Sequence, residues 1–285
     1  ILTSFSNQVG SLEPQFTYSY EAMLKIDLLL AKARLAVEQN AFMPQVNDSC
    51  RFALKKARHP LIDKKKVVPV DISLGDEYDT LVITGPNTGG KTVSLKTLGL
   101  LSLMAASGLH IPANEQSEIG LFEHVYADIG DEQSIEQSLS TFSSHMKNIV
   151  DILKICDDST LILFDELCAG TDPAEGAALA TAIIEFCRKL GSRVVATTHY
   201  AELKLYAMRT EGVINASCEF DVETLKPTYR LLIGIPGKSN AFAICRRLGL
   251  SEDILKEADD LVGKSDKDFE DVLSQLESQR QQMES

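Results

Sequence analysis

A glycine-rich stretch that follows a short apolar run carries the clearest chemistry in this sequence. It lies within LVITGPNTGGKT and consists of Gly85, Pro86, Asn87, Thr88, Gly89, Gly90, Lys91 and Thr92. The spacing G-x-x-x-x-G-K-[ST], between an apolar run and an apolar helical segment, predicts a strand, a phosphate-binding loop and a helix. Backbone N–H groups of such a loop and helix start bind phosphate oxygens. We expect Lys91 to contact the β- and γ-phosphates of a nucleotide and Thr92 to ligate Mg²⁺. The alternative is a glycine-rich turn with an exposed lysine.

Two adjacent carboxylates follow a second apolar run, in TLILFDELCAGTDP. Asp165 and Glu166 come where a buried strand is expected to end, and ligands of open α/β sheets bind at that edge. We expect Asp165 to hold the Mg²⁺ shell and Glu166 to orient or deprotonate an attacking water. The alternative is a solvated strand end. The pair extends the prediction from nucleotide binding to hydrolysis.

A third apolar run, RVVATTHY, leads to His199. Taken alone, a histidine at a strand end is more often structural than catalytic. Beside the two preceding motifs, we expect His199 to donate to the γ-phosphate or to position water.

The stretch SLSTFSSHM, residues 138 to 146, is rich in hydroxyl groups where an amphipathic helix is expected to begin. Serine and threonine are favoured at helix N-caps, so the simplest interpretation is a cap with a few solvated side chains. The residues alone do not decide which phosphate, if any, these hydroxyls serve.

Three regions with different hydrophobic patterns follow one another along the chain. Residues 1–16 look irregular, and residues 20–40 carry apolar side chains at helical spacing, which predicts one long amphipathic helix. Between residues 51 and 250, short apolar runs alternate with helical stretches, which indicates an α/β domain with a mostly parallel central sheet and helices on both faces. Beyond residue 250, apolar residues spaced by threes and fours among many charges predict a helical arm.

The α/β region contains several candidate elements. The candidate strands are Thr80–Thr84, His124–Ile129, Thr160–Phe164 and Arg193–Thr197, with a further strand pair at Gly212–Phe220 and Pro227–Ile233. Helices are predicted after Gly90 and from about Thr141, Pro173 and Ser239.

Bulk composition narrows the class of protein. Of the 285 residues, 44% are hydrophobic, which suffices for a substantial core. The net charge is −13, and residues 251–285 contribute −7 of it through eleven acidic and four basic residues, which argues against a uniformly basic nucleic-acid-binding surface. The six cysteines form no CxxC pair and no cluster with histidine, which indicates reduced thiols. Without a signal-peptide pattern or a membrane-length apolar run, we expect a cytoplasmic protein with no membrane partner.

The order of these motifs resembles the ATPase domain of the MutS family, within the ABC-type ATPases. The phosphate loop, a Ser/Thr-rich helix start, Asp-Glu, GTD and His follow one another, and RHPLID, GLHIPA and GIPGKSNAFAICRRLGL extend the likeness over nearly all of residues 20–262. GPNTGGKT and DELCAGTDPAEGAALA are similar to the second MutS subfamily, the MutS-two branch. The mismatch-repair branch usually reads GPNMGGKS and GTST instead. The resemblance implies an ABC-type P-loop NTPase that uses ATP and Mg²⁺.

The resemblance also implies a domain division and a homodimer. Residues 1–50 would form the end of the clamp and lever helices, 51–250 the ATPase domain, and 251–285 a helical arm with the start of a linker. Two ATPase domains would face each other head to tail, so that Ser140 and Thr141 complete the nucleotide site of the partner subunit. Asp172 would lie at the dimer seam. The signature differs from the LSGGQ of transport ATPases, which disfavours a transporter.

Members of this branch act on branched DNA or on stalled, collided ribosomes through ATP-driven closure of the dimer. Full-length members usually add an upstream clamp and a C-terminal Smr nuclease-like domain, so DNA binding, rRNA binding and endonuclease activity are implied through regions mostly outside residues 1–285. Two alternatives stay open: a mismatch-repair MutS, and an ATP-gated dimerisation scaffold with little turnover. The segment KKKVVPVDISLG lies where the family contacts the adenine base, but it holds no aromatic residue, so no base-stacking residue is assigned.

Overall fold

The computed structural model describes residues 1–85, 89–130, 138–221, 224, 226–237 and 241–261, with the backbone alone for residues 138–141. The helices are α1 (Leu2–Ser11), α2 (Glu13–Gln39), α3 (Lys91–Ala106), α4 (Ser138–Leu153), α5 (Pro173–Lys189), α6 (Ala201–Arg209), α7 (Ala241–Arg247) and α8 (Glu252–Leu261). The strands are β1 (Gln45–Asn47), β2 (Phe52–Ala57), β3 (Val70–Leu74), β4 (Thr80–Thr84), β5 (Glu118–Gly120), β6 (His124–Asp128), β7 (Thr160–Phe164), β8 (Arg193–Thr197), β9 (Val213–Asp221) and β10 (Lys226–Ile233).

The larger sheet has six strands in the order β10-β9-β4-β8-β7-β6. Strands β9, β4, β8, β7 and β6 are parallel, and β10 pairs antiparallel with β9. Leu81 and Ile83 on β4 pack into a core shared with Leu95 of α3, whereas Val82 packs into a second core shared with Ile184 of α5. Because both faces are covered by helices, these strands are almost entirely apolar. The predicted mixed α/β architecture, with a mostly parallel sheet and helices on both faces, is confirmed.

A second sheet of four strands, in the order β1-β5-β2-β3, was not predicted. Phe52, Ile72 and Ile119 of this sheet lie in the same core as α3. Two of its strands, β1 and β5, are only three residues long, and β2 carries exposed Lys55 and Lys56 in its middle. Short strands with weak apolar alternation are poor sequence signals, because their stability comes from partners that are distant in the chain.

The helices agree with the sequence in the α/β region and differ at the N-terminus. The segment expected to be irregular contains α1, so that expectation was wrong, and α2 begins seven residues before the predicted start. The helix expected from about residue 141 begins at 138, and the one expected at Pro173 begins there. Helix α6 was not predicted, and the start expected at Ser239 lies outside the described residues. Among the described helices, none is both long and apolar enough to cross a bilayer.

Helices α1 and α2 contain no buried residue, and α2 is joined to the α/β region by polar contacts. The ammonium of Lys32 donates to the carbonyls of Ser107 at 2.8 Å and Gly108 at 3.3 Å, directly after the end of α3. The guanidinium of Arg58 donates to the carbonyl of Gln39, the last residue of α2, at 3.1 Å and to that of the C-cap Asn40 at 2.7 Å. A cation at a helix C-terminus is favourable, because the exposed carbonyls there carry partial negative charge.

Candidate functional site

The predicted phosphate loop connects the end of β4 to the start of α3, at the carboxyl edge of the parallel strands. Gly85 directly follows β4 with a φ of 126°, and Gly90 is the N-cap of α3 with a φ of 98°. Residues with a Cβ atom rarely adopt either angle, which explains why glycine occupies these two positions. Pro86, Asn87 and Thr88 lie outside the described residues. Gly89 is buried beside Gly90.

Lys91 is the first residue of α3, and its side chain is only 1% exposed. Its ammonium donates to the carbonyl of Gly85 at 2.8 Å and lies 2.9 Å from the Oε1 atom of Glu166. The ammonium therefore lies within the loop that was predicted to hold phosphate, next to the predicted catalytic carboxylate. The buried position of Lys91 contradicts the alternative interpretation of this motif, an exposed lysine on a glycine-rich turn.

Asp165 directly follows β7, is buried, and is held by hydroxyl groups from two neighbouring elements. Its Oδ1 atom accepts from Thr92 Oγ1 at 3.1 Å and from Thr197 Oγ1 at 2.6 Å. Thr197 Oγ1 in turn accepts from the Glu166 N–H at 2.8 Å. Sequence reasoning missed Thr197, which fixes both carboxylate residues although it lies only two positions before His199. Its signal was a hydroxyl at the polar end of a strand predicted to be buried.

Glu166 has a left-handed backbone and bridges Lys91 and His199. Its φ is 49°, and its Oε2 atom lies 3.0 Å from Nδ1 of His199. Burial raises the pKa of this carboxyl, but the charge and hydrogen bond of Lys91, with a smaller contribution from His199, outweigh burial and lower the pKa below its ordinary value. Glu166 is therefore ionised near neutral pH, as a residue that accepts a proton from water must be. Left-handed backbone in a non-glycine residue is uncommon and is often found at functional sites.

An apolar cavity of about 440 Å³ adjoins the loop on the side of Gly90. Its walls include Val67 and Val68, from the segment where the resemblance locates the base, and Tyr229 from β10. The Tyr229 ring packs so closely on Gly90 that a Cβ atom there would lie 3.1 Å from Cδ1. Sequence reasoning missed Tyr229, because nothing in its local pattern indicates that β10 reaches the phosphate loop. His59 also lines this cavity.

The geometry joins a phosphate loop, a buried acidic strand end and a histidine in one site, and a comparison with family models agrees. Residues 81–265 match the model described as MutS domain V. The chain belongs to the MutS family. The match runs from the second residue of β4 to beyond α8 and includes Lys91, Asp165, Glu166 and His199.

Relatives of this chain within the family are named Endonuclease MutS2. The protein from Agathobacter rectalis is 58% identical over 284 residues, and that from Ruminiclostridium cellulolyticum is 56% identical over 284 residues; each match covers 100% of this chain and 36% of the relative. The protein from Caldanaerobacter subterraneus subsp. tengcongensis is 58% identical over 280 residues, which are 98% of this chain and 35% of the relative. The chain thus spans little more than a third of the length of these relatives. They confirm the assignment to the MutS2 type and support an ATPase module of such a protein.

Three residues that the MutS resemblance assigns to the dimer lie on two helix starts. Ser140 and Thr141 belong to the first turn of α4, and their side chains are not among the described parts of the chain. Asp172 is the N-cap of α5, where its Oδ1 atom accepts from the N–H groups of Ala174 at 3.0 Å and Glu175 at 3.1 Å. Asp172 therefore has a role within its own subunit, and its place at a dimer seam stays a prediction.

Proposed function

We propose that this chain is the ATP-binding and ATP-hydrolysing module of a MutS2 protein, with an ABC-type P-loop fold. The observation that carries the proposal is the convergence of Lys91, Asp165, Glu166 and His199 at the carboxyl edge of three adjacent parallel strands, next to the N-terminus of α3. Nucleotides bind at this edge in open α/β sheets. The helix N-terminus adds unpaired N–H groups and a partial positive charge that favour phosphate.

Each residue has a role that its position supports. Lys91 contacts the β- and γ-phosphates, and backbone N–H groups of the glycine-rich loop, to which Pro86 contributes none, donate to the same oxygens. Glu166 is ionised and close to the loop, so it orients and deprotonates the attacking water. His199 is 55% exposed and can turn from Glu166 toward a γ-phosphate, to which it donates.

The donor set at Asp165 suits Mg²⁺. The described residues hold no group of three or more His, Cys, Asp or Glu side chains placed to bind a metal ion. Among these residues, no site therefore surrounds a metal ion with protein ligands alone. Mg²⁺ instead favours one or two protein oxygens together with phosphates and waters. The Asp165 carboxylate and the Thr92 hydroxyl, 3.1 Å apart, are such a pair. The ion would neutralise charge on the phosphates, while Thr197 keeps the carboxylate in place.

The apolar cavity next to Gly90 is the proposed site of the adenine base. The cavity is lined by Gly90 of the loop, so a base held there would adjoin its own phosphates, and Tyr229 offers the aromatic face that KKKVVPVDISLG lacks. Aromatic stacking on a base contributes about 1–3 kcal/mol. We therefore expect Tyr229→Ala to weaken ATP binding by about 5- to 150-fold, and Tyr229→Phe to bind like the wild type.

The active form is proposed to be a head-to-tail homodimer, because Ser140 and Thr141 open a helix whose N-terminus is suited to a partner's phosphate. Closure of this dimer upon ATP binding would remodel branched DNA or stalled ribosomes through other regions of the full-length protein. Endonuclease activity is part of the name of the relatives and is proposed for the full-length protein, not for residues 1–285. The six free thiols support the cytoplasm as the proposed location.

Steady-state ATP turnover tests the proposal. Glu166→Gln should lower the turnover number by about 100-fold or more, because the general base is lost, while ATP still binds. The same variant should accumulate as a nucleotide-bound dimer. Glu202→Gln, at an exposed position in α6, is the matched control and should behave like the wild type. A Glu166→Gln variant that turns over ATP at the wild-type rate would refute the assignment.

The concentration dependence of turnover separates the remaining candidates. A shared site requires the activity per subunit to rise as the protein passes through its dimerisation constant, and a flat profile would exclude the shared site. A dimerisation scaffold would bind ATP and dimerise with negligible turnover in the wild type. A mismatch-repair MutS, disfavoured by the MutS2 relatives, would bind mismatched duplexes in preference to branched DNA.

A further inference from the structure

Asp128 ends β6 with a buried carboxylate whose two oxygens are both held by α4. The Oδ2 atom lies 2.9 Å from Nδ1 of His145, and the Oδ1 atom accepts from Nδ2 of Asn148 at 2.9 Å. The amide of Asn148 also donates to the carbonyl of Ala127 at 3.2 Å. His145 and Asn148 are three residues apart, so they lie on one face of α4. We call Asp128, His145 and Asn148 the Asp128 cluster.

Helix α4 packs closely on the chain just beyond the end of β6. A Cβ atom added to Gly130 would lie 2.5 Å from Nε2 of His145, so the imidazole occupies the space that any side chain at position 130 would need. Glycine at this position lets the chain pass against the ring. The buried Asp128 carboxylate is satisfied by its two partners, as buried charged groups must be. The Asp128 cluster thus fixes α4 to the end of β6 by directed polar contacts.

The same strand end is bound to the proposed magnesium ligand. The carbonyl of Asp128 accepts from the N–H of Asp165 at 2.9 Å, and β6 and β7 pair in parallel up to Asp128 and Phe164. On the other side, His145 follows Thr141 by four residues, which is about 6 Å along a helix. Asp128 is therefore a direct connection between Asp165 and the middle of α4, about one turn beyond Thr141.

We propose that His145 is a positioning residue for the shared ATPase site. Through Asp128, it sets the place of the α4 N-terminus relative to Asp165, so that the metal side of one subunit's site and the helix that caps the partner's nucleotide move together. This inference rests on the proposed function, because it concerns the step in which Ser140 and Thr141 reach the partner. The inference predicts that loss of the Asp128 cluster impairs dimer closure and ATP turnover, while ATP binding within the subunit persists.

The closing experiment compares His145→Ala, His145→Asn and Lys147→Ala in the full-length protein. The Nδ2 group of an asparagine takes nearly the position of Nδ1 of histidine, so His145→Asn keeps the contact with Asp128. Lys147 is exposed on the same helix and serves as the control. We would measure ATP affinity by equilibrium titration with a fluorescent ATP analogue, kcat and KM by steady-state turnover, and nucleotide-dependent dimerisation by sedimentation velocity.

His145→Ala should lower kcat about tenfold or more and weaken ATP-dependent dimerisation, because misplacement of a catalytic group by 1 Å can cost up to about 100-fold. Its ATP affinity should change less than about twofold, and His145→Asn should recover most of kcat. Lys147→Ala should match the wild type. Urea unfolding of each variant verifies folding; if His145→Ala does not fold, His145→Asn and Asp128→Asn carry the comparison, and Asp128→Asn should lose kcat while His145→Asn keeps it.

The inference is overturned if folded His145→Ala closes and turns over ATP like the wild type. It is also overturned if His145→Asn loses as much kcat as His145→Ala, since packing of the ring alone would then explain the effect. A wild-type protein that neither hydrolyses ATP nor dimerises refutes the proposed function itself, and the inference with it. The two failures are distinguishable because only the second appears without any substitution.

Discussion

The structure predicts a large loss of stability and of ATP turnover when Thr197 is replaced by a residue of nearly the same shape. The side chain of Thr197 is fully buried, and its hydroxyl donates to Asp165 Oδ1 at 2.6 Å and accepts from the Glu166 N–H at 2.8 Å. Thr197→Val keeps the volume but removes both contacts. The partly buried Glu166 N–H then has no hydroxyl partner, at a cost of up to about 1–3 kcal/mol, and a bond to a charged carboxylate worth about 1.5–3 kcal/mol is lost.

We therefore expect Thr197→Val to lower the free energy of unfolding by about 3 kcal/mol or more. Thr197→Ser keeps the hydroxyl and loses one methyl group, which costs about 1 kcal/mol. ATP turnover should fall at least tenfold in Thr197→Val, because Asp165 and Glu166 both lose the group that orients them, and should largely persist in Thr197→Ser. Urea unfolding would be followed by circular dichroism, since the chain contains no tryptophan.

Thr181 in α5 provides a matched control for this substitution. Its hydroxyl donates to the Ala177 carbonyl at 2.8 Å, a local contact within the helix. Thr181→Val should change the free energy of unfolding by no more than about 0.5 kcal/mol. If Thr197→Val were as stable as Thr181→Val, or if Thr197→Ser lost as much as Thr197→Val, the hydroxyl would not hold the two carboxylates and the reasoning would fail.

Three further predictions concern the ion pair, the helix cap and a tight glycine. Because the pKa of Glu166 is lowered in the folded state, its contribution to stability is present above the ordinary value of 4.5 and is lost as pH falls through the lowered pKa. In Lys91→Met burial prevails and the folded pKa is raised instead, so urea unfolding at stepwise lower pH should show a gain in stability from protonation of Glu166 where the wild type shows a loss. Asp172→Ala should cost about 1 kcal/mol in chemical unfolding. Asp172→Asn should restore this stability but not ATP-dependent dimerisation, if the charge acts at the seam. In Gly176→Ala the new Cβ would lie 2.8 Å from Cζ of Tyr200, so its thermal unfolding should reveal a destabilisation of about 1–3 kcal/mol; an unchanged midpoint would show that the ring can move.

The sequence predicted the strands of the larger sheet because their signals are local. Each is a short apolar run that stops at a chemically distinct residue, and the parallel arrangement then follows from the helices between them. The loop motif gave the start of α3 in the same way. The smaller sheet and α1 differ, because residues that contact only distant segments, or none, leave no periodic pattern to read.

The predicted site residues were those that carry chemistry, and the missed residues were those that hold them in place. Asp165 and Glu166 are recognisable as adjacent carboxylates after an apolar run. Thr197 and Asp128 contact them only because β6, β7 and β8 pair in a particular parallel register. Register depends on contacts between strands that are about 30 residues apart, so it is not visible in either strand alone. Tyr229 was missed for the same reason.

Exposure separates the roles of the two groups that flank the Glu166 carboxylate. The Lys91 ammonium is 1% exposed, whereas the His199 side chain is 55% exposed, and both lie about 3 Å from a carboxylate oxygen. Charges interact more strongly where water is excluded, so Lys91 dominates the lowering of the Glu166 pKa, and His199 adds less. Removal of Lys91 leaves a buried carboxylate without its main counter-charge, whereas removal of His199 leaves it paired. His199 is therefore dispensable for holding Glu166 ionised, and its exposed position next to the loop suits it for contact with a γ-phosphate instead.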